Sequence, residues 1–413
     1  MKIVDLFSGA GGLTFGFYYK VSRNRFVRRE NVEFVFANEY SERAVGAFRS
    51  NFPEINMIND DIKNLTDERL DELLADSEVD LIIGGPPCQS FSTVGQRQYD
   101  DRAKLSNEYL RILEKIRPKM FLFENVKGIL SMREIFYKTD KNGDLIYQEV
   151  KRHRGATTYC KKEPIVDHYG KRVMDKLSEE FSRIGYTIIP KTLVAADYGV
   201  PQNRERVVII GIRNDLHIDW KWPEGGKITR TIFEAISDLP PVGENQCVTQ
   251  YDSEPMNPYQ QLMRKGSKEI TEHYCGEYGE KIRTVIKNVA EGEGHDEFNA
   301  KVDKGLIDEK YRLTSGYSNT YGRLERNKPS TTITNNLATP SGLRCIHYEQ
   351  NRALTPREGA RIQSFPDWFR FCGTRTDVTR QVGNAVPPLM AIALANSIEV
   401  VLNGDGENEM MKK

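Results

Sequence analysis

Six short runs rich in β-branched and aromatic residues, at 2–7, 33–37, 79–83, 120–123, 186–195 and 207–212, alternate with helical patterns over the first half of the chain. Strand and helix in alternation predict an α/β fold built on an open sheet, because each crossover helix covers the sheet it returns to. Polar chemistry in such a sheet collects on the loops at the strands' carboxyl ends. The run Val79–Ile83 leads into Gly84-Gly85-Pro86-Pro87-Cys88-Gln89-Ser90-Phe91-Ser92. A cysteine is most often a small packed hydrophobe. Here two prolines stiffen the approach and polar residues follow, which suits a presented nucleophile better. A free thiol ionises near pH ~8.5, so Cys88 needs positive charge or a base nearby.

Other strand ends supply candidates for that environment. Ser8-Gly9-Ala10-Gly11-Gly12 separates the first strand from a helical pattern at Leu13–Tyr19, an arrangement that offers backbone N–H groups to a ligand. The second strand ends in Asn38-Glu39, where a Rossmann-like unit sets an acid on ribose hydroxyls. Asn59-Asp60-Asp61-Ile62 brings a further carboxylate, able to accept from an adenine amino group. Glu124 closes the very apolar strand Met120–Phe123, and partial desolvation there raises a carboxyl pKa toward the range useful for an acid. Arg204 and Arg206, two apart at the entrance to the strand Val207–Ile212, are expected to face one pocket, to bind an anion or a base carbonyl, and to favour a thiolate.

The chain's 413 residues allow two domains, or one large domain carrying an inserted smaller one. No apolar run approaches the ~18 to 20 residues of a membrane span. Met1-Lys2-Ile3-Val4-Asp5 has no signal-peptide pattern, so a cytoplasmic location is expected. Six cysteines, at 88, 160, 247, 275, 345 and 372, include no Cys-x-x-Cys pair, and His273 near Cys275 lacks a second ligand pair. Metal-free chemistry is therefore expected. Lysine plus arginine equals aspartate plus glutamate, 59 each, so the global charge points to no partner and leaves a local basic cleft open. No Gly-x-x-x-x-Gly-Lys-Ser/Thr is present, which excludes a P-loop nucleotidase.

The remaining segments are read more coarsely. Residues 93–105 look like an active-site loop. Residues 131–170, with Lys151, Arg152, Arg154, Lys161 and Lys162, read either as a solvated excursion or as a phosphate-contacting insert. Residues 220–345 are rich in turn formers and predict a second domain of irregular and β structure. Thr355-Pro356-Arg357-Glu358 is a capping box opening a helix, and the apolar helix Leu389–Leu402 should pack back on the first domain.

In order, Asp5-Leu6-Phe7-Ser8-Gly9-Ala10-Gly11-Gly12, Asn38-Glu39, Asp61-Ile62, Pro86-Pro87-Cys88-Gln89, Glu124-Asn125-Val126, Gln202-Asn203-Arg204-Glu205-Arg206 and Gly383-Asn384-Ala385-Val386 resemble the motifs of the DNA cytosine-5 methyltransferases over most of the chain. The resemblance implies a Rossmann-like, S-adenosylmethionine-dependent methyltransferase domain from 1–221 and 346–413, with a smaller, mostly irregular or β target-recognition domain inserted at 222–345. It implies S-adenosyl-L-methionine as cofactor, double-stranded DNA as partner, no metal, and a companion restriction endonuclease; a monomer is expected. In the roles it implies, Cys88 adds to cytosine C6, Glu124 holds or protonates N3, and Arg206 bonds O2 with Arg204 supporting the same pocket. Phe7 packs on adenine beside the turn of Gly9, Gly11 and Gly12. Glu39 takes the ribose hydroxyls, Asp61 the adenine amino group, and Pro87 and Asn384 complete the donor site. Two segments depart from the compact family pattern, Val21–Glu30 and 131–170. A transfer RNA methyltransferase shares this core, and a nicotinamide-dependent oxidoreductase would leave the cysteine loop unexplained.

Overall fold

A computed structural model describes residues 1–86, 105–154, 157–226 and 228–402. Thirteen strands occur among them: β1 Lys2–Leu6, β2 Tyr19–Ser22, β3 Arg25–Arg28, β4 Glu33–Glu39, β5 Met57–Asn59, β6 Leu81–Gly84, β7 Met120–Val126, β8 Arg133–Tyr137, β9 Tyr147–Arg154, β10 Thr157–Pro164, β11 Val166–Arg172, β12 Tyr186–Val194 and β13 Glu205–Arg213. Seven form one sheet in the order β12-β13-β7-β6-β1-β4-β5. β7, β6, β1, β4 and β5 run parallel, while β13 and β12 are antiparallel additions. From β1 the chain builds outward to β5 and then returns to lay β6 on the other side. The strand order therefore reverses between β1 and β6, where an open α/β sheet leaves a crevice at its carboxyl edge.

Alternation along the strands explains why this sheet is buried on both faces. Val4, Leu6, Ile82, Phe121 and Phe123 enter one hydrophobic cluster with Tyr109, Leu113 and Phe181. Their chain neighbours Ile3, Leu81, Ile83, Met120 and Leu122 enter another, beneath Met390, Ala391, Leu394 and Ile398. Successive side chains point to opposite faces, so strands apolar at every position need cover on both sides. That cover comes from helices α1 Gly12–Tyr18, α2 Glu42–Asn51, α3 Asp67–Leu74, α4 Leu105–Ile116 and α5 Val173–Arg183, and from the C-terminal helix Pro388–Leu402. The last packs back on the first domain, as its apolar sequence predicts. A Cβ on Gly16 of α1 would stand 2.2 Å from the carbonyl carbon of Ala391, so only glycine lets these two backbones approach so closely.

Residues 222–345 are mostly irregular, as expected, but their regular elements are helices rather than strands. Their ordered elements are the helices α6 Ile232–Ile236, α7 Pro258–Arg264, α8 Glu280–Asn288 and α9 His295–Asp303, and among the described residues they contain isolated bridges but no strand. Local capping accounts for the helices: Thr231 and Glu234 form a reciprocal capping box, and Asn257 caps α7 just before Pro258. Of these helices α8 shows a helical apolar spacing, Ile282, Val285 and Ile286. Residues Ile232 to Ile270 and Leu324 to Phe371 share a cluster with Phe15, Phe48 and Phe52 of α1, α2 and the residue after it, so much of this segment is cored against α1 and α2. The chain then forms α10 Pro356–Ile362, with the predicted Thr355–Glu358 capping box, α11 Arg375–Asn384, and α12, the C-terminal helix Pro388–Leu402.

Both departures from the compact pattern are hairpins. β2 and β3 pair through a two-residue turn in which Arg23 and Asn24 have φ of 48° and 54°, as a tight hairpin turn requires. In the second, β8 pairs β11 and, farther along the same excursion, β9 pairs β10. A ribbon with solvent on both faces needs no alternation of apolar and polar residues, which is why 131–170 shows none.

Candidate active site

At the carboxyl edge beside the β1/β6 crevice lies a cavity of about 610 Å³, within the ~300–1,000 Å³ usual for a ligand site. Phe7, Gly9, Gly12, Glu39, Asp61, Glu124, Arg206 and Asn384 all line it. Gly11 lies behind the turn: its φ is 94°, and a Cβ there would meet the Phe52 ring at 2.4 Å. Pro87 and Cys88 fall outside the described residues. Gly85 and Pro86, which precede them, do line the cavity.

The half of the cavity at β1, β4 and β5 is assembled by hydrogen bonds from one strand end to the next. Ser8 N donates to Asn38 O at 3.1 Å, and Asn38 Nδ2 donates to the carbonyls of Asp60 at 2.9 Å and Ile58 at 3.3 Å. One buried amide thus sets the Asp60-Asp61 turn beside the glycine turn. Glu39 Oε2 accepts from Gly9 N at 3.0 Å and Oε1 from Ser41 N at 2.7 Å. Burial pushes the Glu39 carboxyl above its ordinary pKa, and those backbone bonds oppose the shift. Each oxygen keeps a lone pair for a ligand hydroxyl. Phe7, at the end of β1, has φ 58°, a sparsely populated conformation for a non-glycine residue at a site that must aim its ring. Gly9 has no protein atom within 4 Å of where a Cβ would stand, so its backbone is open to close approach.

The other half centres on an ion pair. Arg206 Nε lies 3.0 Å from Glu124 Oε1, both side chains being only 12–13% exposed. β13 runs antiparallel to β7 with Val208 opposite Glu124 and Arg206 opposite Val126, so the pair is diagonal across one ladder. Burial raises the Glu124 pKa, while Arg206 and, more weakly, Arg204 pull it down. The result is a carboxyl poised above its ordinary value, as its position in the sequence predicts. Gly85 is required here, since a Cβ would come within 2.9 Å of Glu124 Oε2. Asn125 Nδ2 donates to Pro86 O at 3.3 Å and ties down the backbone immediately before Pro87 and Cys88.

The two arginines do not share the pocket. Arg204 precedes the strand, so the two-residue alternation that would align it with Arg206 does not apply. It is fully buried, with Nη1 donating to Ile333 O and Nη2 to Gly383 O, each at 2.9 Å. Gln202 adds a parallel staple, donating to Gln363 Oε1 at 2.8 Å and accepting from Ile333 N at 2.8 Å. These bonds hold Gly383 and hence Asn384 at the cavity rim, while Arg204's charge is still felt at Glu124.

Sequence reasoning gave no role to Asp5, Asn38 or Asn125, all buried at this edge. Asp5 lines the cavity and is pushed up to about 8 by burial, against a hydrogen bond from Thr14. An acid inside an otherwise apolar strand was the signal that could have marked it. His273 is a buried structural residue, its ring nitrogens meeting Thr355 Oγ1 at 2.9 Å and Pro240 O at 2.8 Å.

Comparison with known proteins agrees with this geometry. The family model for C-5 cytosine-specific DNA methylases matches residues 1–142 and 163–400. The chain is 34% identical over 423 aligned residues to the type II methyltransferase M.DdeI of Desulfomicrobium norvegicum, covering 96% of this chain and 88% of that one. It is 31% identical over 404 to M1.HphI of Haemophilus parahaemolyticus, covering 96% and 86%. Among solved structures, a putative DNA modification methyltransferase from an Escherichia coli prophage shares the fold, with a TM-score of 0.68 and 24% identity over 98% of this chain and 99% of that one.

Proposed function

The chain belongs to the C-5 cytosine-specific DNA methylase family, and we propose that the cavity at the sheet's carboxyl edge holds S-adenosylmethionine against a cytosine turned out of duplex DNA. The observation that carries this reading is continuity: the glycine turn with Glu39 and Asp61, and the Glu124–Arg206 pair, line one space. When bound, the cofactor supplies an electrophilic methyl group. Phe7 would pack on its adenine, Glu39 would take the ribose hydroxyls and Asp61 the adenine amino group, with Gly9, Gly12, Pro87 and Asn384 completing the cradle.

Cytosine C5 is a weak nucleophile, so the protein must activate it. The Cys88 thiolate would add to C6, placing an enamine-like carbon at C5. Glu124, its pKa raised by burial, would give or share a proton at N3 as charge builds there. Arg206 has Nε on Glu124 and Nη1 donating to Glu205 O at 2.7 Å, and would offer Nη2 to the base O2. Arg204 acts from behind, by fixing the Gly383-Asn384 rim. Loss of the C5 proton and release of the thiol would finish the reaction. Inside a duplex C5 and C6 are out of reach, so the base must leave the stack.

Residues 222–345 would read the flanking sequence. The similarity to type II methyltransferases suggests a protective role beside a restriction endonuclease, in the cytoplasm of a bacterial cell. Labelled methyl donor offered with duplex DNA and with transfer RNA tests the reading. We expect label in the duplex; label in the RNA alone would overturn it.

A further inference from the structure

We propose that the β9–β10 ribbon is an arm that grips the phosphate backbone of DNA beside the target site. The inference rests on the function proposed above and adds a contact surface to it. All but the last two residues of the ribbon lie in the part of the chain that the family model passes over, residues 143–162. Eight residue pairs, from Tyr147 with Pro164 to Arg154 with Thr157, form its ladder. No residue of 147–164 enters a hydrophobic cluster among the described residues. The sheet and core stand without it, so what it retains is a surface.

That surface has one sign. The chain is neutral overall, yet from Val150 to Lys162 it contains Lys151, Arg152, Arg154, Lys161 and Lys162 and no acid. The ladder's two acids, Glu149 and Glu163, sit at the end away from the turn, and Lys161 Nζ lies 3.7 Å from the Glu163 carboxylate. Among the described side chains the register sets Lys161 on one face and Lys151 and Lys162 on the other, so both faces carry basic residues. A protein-binding face would leave one side apolar. Basic residues on both sides suit a ribbon lying between two phosphate walls, and a major groove of ~12 Å admits a two-stranded ribbon. Eight residues at ~3.3 Å each span roughly 25 Å, enough to pass many phosphates.

The root of the arm is at the reactive edge. β7 ends with Glu124, Asn125 and Val126, all lining the cavity, and β8 starts at Arg133 after a single turn of helix at Lys127–Leu130. The β8–β11 ladder leads outward from there; Ile165 N donates to Ile146 O and Lys138 N to Ile165 O, which join it to the β9–β10 ladder. On the other side Lys176 of α5 pairs with Glu134 at 2.7 Å and braces the base. A duplex delivering its base to the cavity must pass this root.

The test compares the full chain with a variant carrying Lys151→Ser, Arg152→Ser and Arg154→Ser, and with one lacking residues 147–164 joined by a short glycine linker. Affinity for a mixed-sequence duplex is read by fluorescence anisotropy across a salt series. Each lost phosphate contact removes ~0.9 from the slope of log affinity against log salt, so the triple variant should flatten it by about two to three. Methyl transfer at saturating DNA should be unchanged in kcat, with KM for DNA raised. An unchanged slope in both variants overturns the proposal, as does an unchanged slope with altered sedimentation, which would make the ribbon a protein contact. Failure of the wild-type chain to methylate DNA would overturn the functional reading instead, while the slope still decides the arm.

Discussion

Glu124 and Arg206 show how much chemistry two side chains acquire from placement alone. Neither is unusual in sequence, yet antiparallel pairing of β13 with β7 sets them 3.0 Å apart and burial lifts the carboxyl's pKa. Arg206→Ala removes the stronger of the two cations that oppose that lift. Glu124 should then stay protonated to higher pH, so the alkaline limb of the rate profile should move upward while the maximal rate falls by ~10²-fold or more, as expected for loss of a positioned charge and donor. A pH–rate series on both proteins checks this; a slower enzyme with an unmoved limb would mean that Glu124 does not set the limb. Glu124 was legible in the sequence because an acid ending an apolar strand has few structural reasons to be there. Arg204 was half legible: its motif marked it, but the alternation rule failed one residue outside the strand, and its bonds to Ile333 and Gly383 depend on segments more than a hundred residues away.

At the scale of elements, what could be read followed what is buried. The strands of the central sheet were visible because cover on both faces demands unbroken apolar runs, and α12 because a helix apolar all round must be enclosed. α9 was hard to see, being short and mostly polar, whereas α8 does carry Ile282, Val285 and Ile286 at helical spacing. The β9–β10 ribbon was invisible for the opposite reason: without a buried face it carries no pattern. Some contacts need the fold to be seen at all. Gly16 lies in a helical sequence where alanine would raise helix propensity by up to ~1 kcal/mol, but its Cβ would collide with Ala391. Gly16→Ala should therefore lower stability by about 1–3 kcal/mol, read as a fall in the urea midpoint at unchanged slope. A stabilised variant would show that α1 and α12 can separate without cost.

Over the whole molecule, one topological fact organises the rest: the reversal of strand order between β1 and β6 opens an edge where segments from distant parts of the chain meet. The glycine turn with Glu39 and Asp61 comes from the ends of β1, β4 and β5; the acid and its arginine come from β7 and β13; the rim comes from α11, held by Gln202, Arg204 and Gln363. Such convergence was foreseeable from motif order, but the shared core of α1, α2 and residues 232–270 was not, because contacts between remote segments leave no local periodicity. The central claim is that this edge activates cytosine through a covalent bond from Cys88. Duplex DNA in which 5-fluorocytosine replaces cytosine, incubated with protein and S-adenosylmethionine, blocks the final loss from C5 and should trap that bond. Peptide mapping by mass spectrometry should find the nucleotide on Cys88 in the wild-type chain and no adduct in Cys88→Ser; no trapped species under conditions where ordinary DNA is methylated, or an adduct on another residue, would contradict the account.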